Sequence, residues 1–497
     1  MSSRIIISYI HDPPDKDEIP TRWRDPHFLS KVGFTDVVVG DQLSGCLALV
    51  MPNAEHSASG RLRTLSERVD AARAEGIGAW VMEDLFTLQK QGGQCPFDES
   101  LWRETATLIE SMVERIPGIS GFVFRFGEAF STDAWARRTS PFSCGCERCA
   151  EEGLSGIFSR IATGLDETVC KGVNRRCILR VWDLGEDGFH ANPQLLSSGL
   201  TTIFDKTELV VSVKHSMTDY WRYQPWNESI RTCAHPLLVE FQCEREYEFL
   251  GLVPNWLGHH WSQGFPEVDD AGSAGLANST PTEWRGSYIL PRGGGWSADH
   301  ANDDLWSAIN TRSIVKLTTN PKLNPDQLLD DCLREEGFGD EESRNRFARL
   351  VIKSSDLVLS LRYLSTFHEL TRQIWMPSHN WFRDDRFVPG ACAHVTAVVN
   401  SANRTTSLLD ERRASVTKAK AHLEEANELF GQGGVLNAHE RSDFILDSYR
   451  WALDFANLTL ELWTELLAYE SPTREEAKQV IVRTLEQHDL APLSCMD

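Results

Sequence analysis

Eight short apolar runs, separated by stretches of helical periodicity, constrain this chain more than any other feature. They are RIIISYI (4–10), TDVVVGD (35–41), GAWVMED (78–84), GFVFRFGE (121–128), CILRVWD (177–183), LVVSVKH (209–215), LLVEFQCE (237–244) and GSYILPR (286–292). Their apolar residues are continuous rather than alternating, as in parallel strands covered on both faces. Between them, LRTLSERVDAARAEG (62–76), WRETATLIESMVERIPG (102–118) and IFSRIATGLDETVCKG (157–172) place apolar residues at roughly helical spacing. Strand then helix, eight times over, predicts a (β/α)8 barrel spanning residues 1–305.

Such barrels build active sites on the face where the strands end. Nearly every run ends in a polar or charged residue there: Asp12, Asp41, Glu83, Asp84, Glu128, Asp183, Lys214 and Glu240 sit at or just past these ends. Any one of them can simply mark where a strand meets solvent; the set of eight points to a site.

After residue 305 the strand signals stop. Segments at 341–373, 405–431 and 440–470 read as helices broken at Gly, Pro and Asn, which predicts an all-α region over 306–497. The stretch RSDFILDSYRWALDFANLTLELWTELL has enough apolar surface to cover either the barrel or a second copy of the chain, so a homodimer through these helices is one expectation.

Composition narrows the function classes. Of 497 residues 41% are apolar, ample for substantial cores. A formal net charge of -22 repels polyanions and, with no basic patch visible, argues against nucleic acid and anionic membranes as partners. No stretch approaches the roughly 20 apolar residues of a membrane span. The apolar run at the start is too short for a signal-peptide core, so the twelve cysteines are expected to be reduced and the protein cytoplasmic. The sixteen tryptophans serve equally well as core filler or as platforms for sugar rings.

Three motifs carry possible chemistry. In CGCERCAEEG, the spacing of Cys144, Cys146 and Cys149 could hold zinc if a fourth ligand came from elsewhere, with Cys170 and Cys177 the nearest candidates; packed, reduced thiols are the simpler reading. The adjacent His259 and His260 point in different directions on any regular element and make poor co-ligands, though either could line a pocket. The glycine-rich PRGGGWSADHANDDLW (291–306) lacks a phosphate-binding fingerprint. No catalytic metal and no cofactor is expected.

A fourth constellation is stronger. Lys214 and Asp219 follow the sixth run, and Glu240 and Glu246 end or follow the seventh; with Glu128 they put acids on three separate barrel loops. Cleavage of a glycosidic bond needs one carboxylic acid to protonate the leaving oxygen and a carboxylate to activate water or attack directly. Arg125, Arg180 and Lys214 add cations, and a buried sugar carboxylate needs such charge partners; ion pairs with the neighbouring acids are the structural alternative. Trp182 and Trp221 offer rings to a sugar.

These residues resemble the xylan α-glucuronidases of glycoside hydrolase family 67. VKHSMTDYW keeps the lysine and aspartate of that family's sixth-strand run, EFQCEREY matches its seventh, Arg180 in ILRVWD stands for the fifth-strand arginine, and NPKLNPDQLLDD (320–331) looks like the segment that opens its helical region. The resemblance implies a metal-free, inverting hydrolase that removes an α-linked uronic acid from an oligosaccharide. Glu128 would then be the general acid, Asp219 and Glu246 the groups activating water, and Lys214 and Arg180 the holders of the sugar carboxylate. The family's N-terminal β-sandwich has no counterpart, since the first strand begins at residue 4, and the run around Glu128 departs from the family's. A neutral glycoside as substrate, a non-hydrolytic acidic-sugar-binding protein, and a metal-dependent uronate lyase or isomerase are the competing readings.

Overall fold

The computed structural model describes residues 4–10, 21–40, 56–84, 95–126, 146–181, 189–201, 203, 208–217, 220, 222–245, 248–292, 303–363, 382–383, 386–387, 405–436, 440–469 and 473–487. Eight parallel strands close into one barrel in sequence order. They are β1 (Ile5–Ile10), β2 (Asp36–Gly40), β3 (Gly78–Asp84), β4 (Gly121–Phe126), β5 (Arg176–Val181), β6 (Leu209–Lys214), β7 (Leu237–Gln242) and β8 (Trp284–Arg292). Among the described residues one α-helix follows each strand: α1 (Pro26–Val32), α2 (His56–Ala74), α3 (Glu99–Arg115), α4 (Glu147–Leu165), α5 (Pro193–Leu200), α6 (Glu228–Thr232), α7 (Gly258–Gln263) and α8 (Leu305–Thr319). The predicted barrel is therefore the observed one.

Alternation along the strands divides the core in two. Ile7, Tyr9, Val38, Trp80, Met82, Val123, Ile178, Val210, Leu238, Tyr288 and Leu290 form a cluster inside the barrel, while the residues between them pack under the helices. At the amino end of the strands the interior is closed by polar pairing: Asp36 accepts from Trp80 Nε1 at 2.6 Å and Arg176 Nη2 at 2.7 Å. Closure between β1 and β8 depends on Gly286, whose φ of 139° suits glycine and where a Cβ would run into the carbonyl of Ile5.

Helices make up most of the remaining described chain: α9 (Pro325–Glu335), α10 (Glu341–Ile352), α11 (Ser354–Arg362), α12 (Thr405–Phe430), α13 (Ser442–Leu467) and α14 (Arg474–Gln487), with a two-stranded ribbon of β9 (Phe382–Arg383) and β10 (Arg386–Phe387). Of the segment read as helical at 341–373, the described part forms two helices, α10 and α11, separated at Lys353, and 364–373 lie outside the described residues. Start signals explain most of these boundaries. Asn324 and Asp340 cap α9 and α10 by accepting from backbone N–H groups of the first turn, and Pro325 occupies the first helical position.

Helix α8 is buried along almost its whole length. One side packs on β8. Trp306 Nε1 donates to Ser448 Oγ of α13 at 3.0 Å, and Asn310 Nδ2 donates to the carbonyls of Cys243 and Asn255 after β7. The helical region is thus fastened to the segment that follows the seventh strand. No helix among the described residues is long and apolar enough to cross a membrane.

Candidate active site at the carboxyl end of the barrel

Arg125, Arg180, Lys214 and Glu240 come together on the inner face of the barrel near the ends of β4 to β7. Each alternates with an outward-packed neighbour, and register sets Arg125 beside Arg180 and Lys214 beside Glu240. All four are buried. Arg180 grips Glu240 through two parallel hydrogen bonds, Nε to Oε2 at 2.5 Å and Nη2 to Oε1 at 2.7 Å. The Tyr220 hydroxyl donates to the same carboxylate, and Lys214 Nζ lies 4.6 Å from the centre of the Tyr220 ring. Tyr9 and Tyr288 complete the wall, each within 6 Å of the guanidinium carbon of Arg180.

This fixes protonation. Burial alone would push the Glu240 carboxyl up, but the charge and hydrogen bonds of Arg180, the charge of Lys214 and the Tyr220 hydroxyl hold it below the ordinary carboxylate range. Glu240 is a carboxylate committed to Arg180. The ion-pair alternative therefore describes Arg180, although its Nη1 is buried with no hydrogen-bond partner among the described residues.

A second buried pair lies just past β7. Glu248 accepts from Arg245 Nε at 3.0 Å and Nη2 at 3.1 Å, from Asn255 Nδ2 at 2.5 Å and from the Tyr363 hydroxyl at 2.7 Å. Arg245 also donates to the carbonyl of Tyr220. In the chain Tyr220 follows Asp219 and Arg245 precedes Glu246, so the immediate neighbours of two candidate acids are bonded to each other. The loop then passes through three left-handed residues, Phe249 (φ 73°), Leu250 (46°) and Gly251 (78°). Two are not glycine, a strained arrangement that persists only where the surroundings over-determine it. Here they do, because the Phe249 ring packs edge-on against Trp451 and Phe455 of α13.

Glu128, Asp219, Glu246, Trp182 and Trp221 lie outside the described residues, as do Asp12, Asp41, Asp183, Cys144 and the glycine-rich loop at 293–302. Glu83 is buried, but it follows the inward Met82 and so faces the helix layer. His260 belongs to the core rather than to a pocket: it stacks on Phe265 at 5.1 Å and its Nε2 meets Ser355 Oγ at 2.9 Å, while His259 is exposed. Cys170 and Cys177 lie next to each other, and the thiol that joins Cys146 and Cys149 is Cys95. Tyr220, Tyr9, Tyr288 and the Arg245–Glu248–Tyr363 cluster were not anticipated; a tyrosine one residue after a candidate acid was the one available signal.

A small cleft of about 90 Å³ opens elsewhere, lined by residues including Ser8, Trp23, Val37 and Arg68 beside β1, β2, α1 and α2. Its lining does not include the Arg180–Glu240 pair.

No protein-family model matches the chain, and no curated protein matches it in sequence. Among solved structures, it is similar to a GH138 enzyme targeting pectin rhamnogalacturonan II, with a TM-score of 0.53 and 11% identity over 98% of this chain and 60% of that one. It thus spans 60% of that enzyme's length. A mutant O-GlcNAc hydrolase of Thermobaculum terrenum gives 0.44 at 12% identity over 99% and 91% of the two chains, and CpGH84B gives 0.48 at 9% over 99% and 74%. At such identity the first likeness speaks for the fold alone: this chain is a (β/α)8 barrel followed by helices, an architecture it shares with a glycoside hydrolase.

Proposed function

We propose that the protein is a glycoside hydrolase that removes an α-linked uronic acid from an oligosaccharide, with Glu128 as general acid and Asp219 or Glu246 activating water. The observation that carries this reading is the hydrogen bond from Arg245 to the carbonyl of Tyr220, which ties together the chain on either side of Asp219 and Glu246 beside the buried Arg180–Glu240 pair. Acid–base hydrolysis requires carboxyl groups that converge on one bond, and the bond between the neighbours of Asp219 and Glu246 supports that reading. The architecture shared with a GH138 enzyme is consistent with it.

The uronate preference rests on charge. Arg125, Arg180 and Lys214 are buried cations near the carboxyl ends of β4, β5 and β6, with Glu240 beside Lys214. Arginine meets a carboxylate through paired, charge-assisted bonds, so a sugar carboxylate approaching Nη1 of Arg180 would be met by a donor already in place.

Product chromatography after incubation with uronic-acid-bearing and neutral oligosaccharides tests both statements. Free uronate released by the wild type and not by Glu128→Gln supports the proposal. Release of a neutral sugar alone rejects the substrate, and binding without release rejects the hydrolase.

A further inference from the structure

Three thiols from two distant parts of the chain meet beside the barrel. Cys95 lies just before α3, in the connection after β3. Cys146 caps α4 after β4, and Cys149 is in the first turn of that helix. The Sγ of Cys95 lies 3.7 Å from that of Cys146 and 3.7 Å from that of Cys149, across sequence separations of 51 and 54 residues. All three Sγ atoms fall within 4.8 Å of one another. A disulfide needs its sulfurs about 2.05 Å apart, so these are not bonded pairs.

The spacing matches something else. Zinc binds thiolates at about 2.3 Å in a tetrahedron, which puts neighbouring sulfurs about 3.8 Å apart. Moreover, the backbone N–H of Cys149 donates to Cys146 Sγ at 3.4 Å, an outer hydrogen bond of the kind that orients a metal-bound thiolate. Cys146 also sits at the amino end of α4, where the helix dipole favours a negative ligand. The neighbouring segments are fixed against each other, with the Arg148 guanidinium 4.4 Å from the centre of the Phe97 ring.

We propose that Cys95, Cys146 and Cys149 are three ligands of a structural zinc ion, each giving up its thiol proton on binding. The ion joins the chain ahead of α3 to the start of α4, where the segment bearing Glu128 re-enters the described structure. It thereby staples two connections on the carboxyl side of the barrel. The site stands on the thiol geometry and is independent of the proposed hydrolase activity. The sequence supplies another thiol, Cys144, two residues before Cys146.

The test is metal analysis of the full chain by mass spectrometry after gel filtration. About one zinc per chain is expected, falling to background in Cys95→Ser and unchanged in Cys233→Ser, a buried thiol at another place in the fold. To keep the test independent of whether Cys95→Ser folds, the wild type is also prepared in cobalt medium, where thiolate-to-cobalt charge-transfer bands and tetrahedral d–d bands are expected. Absence of metal from the wild type, iron in place of zinc, full zinc retention in a folded Cys95→Ser chain, or a disulfide between any two of the three thiols would overturn the proposal.

Discussion

Replacing Glu240 by Gln keeps the shape of the side chain and removes its charge. Arg180 would then stay buried, 4% exposed, with Nη1 already lacking a partner among the described residues, and Lys214 would lose the same counter-charge. The two charge-assisted bonds at 2.5 and 2.7 Å become at most one bond to a neutral oxygen, because the amide nitrogen presents hydrogens to the guanidinium. Removing one member of a buried pair costs about 3–5 kcal/mol, mostly from the stranded charge. Urea unfolding at pH 7, followed by far-UV circular dichroism and tryptophan fluorescence, reads that loss as a fall in midpoint at unchanged slope. Adding Arg180→Met removes the stranded cation, so the double variant should recover a large part of the loss, a coupling of about 2–3 kcal/mol. The sign with pH also follows. A carboxyl held below its ordinary 4.5 contributes stability that is complete above that value and is lost as pH falls through the lower folded value, so wild type and Glu240→Gln should converge in acid. A loss under about 1 kcal/mol, or losses that simply add in the double variant, would refute the claim that Arg180 and Glu240 form one desolvated unit.

Three further outcomes are expected. His215, His235, His260 and His422 are buried, and desolvation holds all four below the ordinary 6.5, His235 and His422 at about 4. The unfolded chain therefore takes up protons that the folded chain refuses, and stability present above pH 6.5 should drain away below it by up to about 1.4 kcal/mol per pH unit for each histidine. Urea midpoints at pH 7.5 and 5.5 check this, His422→Gln should flatten the dependence, and a flat wild-type profile contradicts it. Glu336 accepts from Arg22 at 2.9 Å, Arg312 at 2.6 Å and Arg441 at 2.7 Å, linking the barrel to the helices. Glu336→Ala should cost about 2–3 kcal/mol, since Arg22 and Arg441 keep Asp304, and calorimetry should show the helical region unfolding ahead of the barrel. Gly286→Ala should prevent barrel closure and leave the chain insoluble, whereas soluble, cooperatively unfolding protein would show that β1 and β8 can shift apart.

The barrel was legible because strand and helix alternate with continuous apolar runs, a pattern few other folds satisfy. That Arg180, Lys214 and Glu240 lie near the carboxyl ends of their strands was legible for the same reason, whereas the face each occupies depends on strand phase: Glu83, near the end of β3, faces the helices. What those charges do to one another was not, because pairing depends on side-chain reach across neighbouring strands, which spacing within one strand cannot report. Cys95 escaped for a related reason. Metal-ligand reading starts from closely spaced thiols, and Cys95 is 51 residues from Cys146 with its own partners unmarked in the local sequence. Likewise Tyr363, at the end of α11, completes the Glu248 cluster from the all-α region, a contact across 115 residues of sequence. His259 and His260 read as poor co-ligands from their adjacency alone, but that His260 packs on Phe265 in the core depends on contacts which adjacency cannot report.

The paired acids decide where a proton can be held. A general acid must enter the reaction protonated, and Glu240 is kept ionised by Arg180, Lys214 and Tyr220. Glu248 is removed from that role in the same way: burial would raise its carboxyl, but the charge and bonds of Arg245, the charge of Arg222 and the Tyr363 hydroxyl hold it low. Glu244 lies 3.4 Å from Arg292. Each described acid at the end of β7 is thus matched to an arginine, an arrangement suited to holding loops rather than to passing protons. In the proposed reaction acid catalysis falls to Glu128, Asp219 and Glu246, which lie outside the described residues. The arginines that take the other carboxylates out of the chemistry include Arg245, the residue that bonds the chain beside Asp219 to the chain beside Glu246. The buried ion pairs, costly to desolvate, hold the described chain on either side of β7 in place.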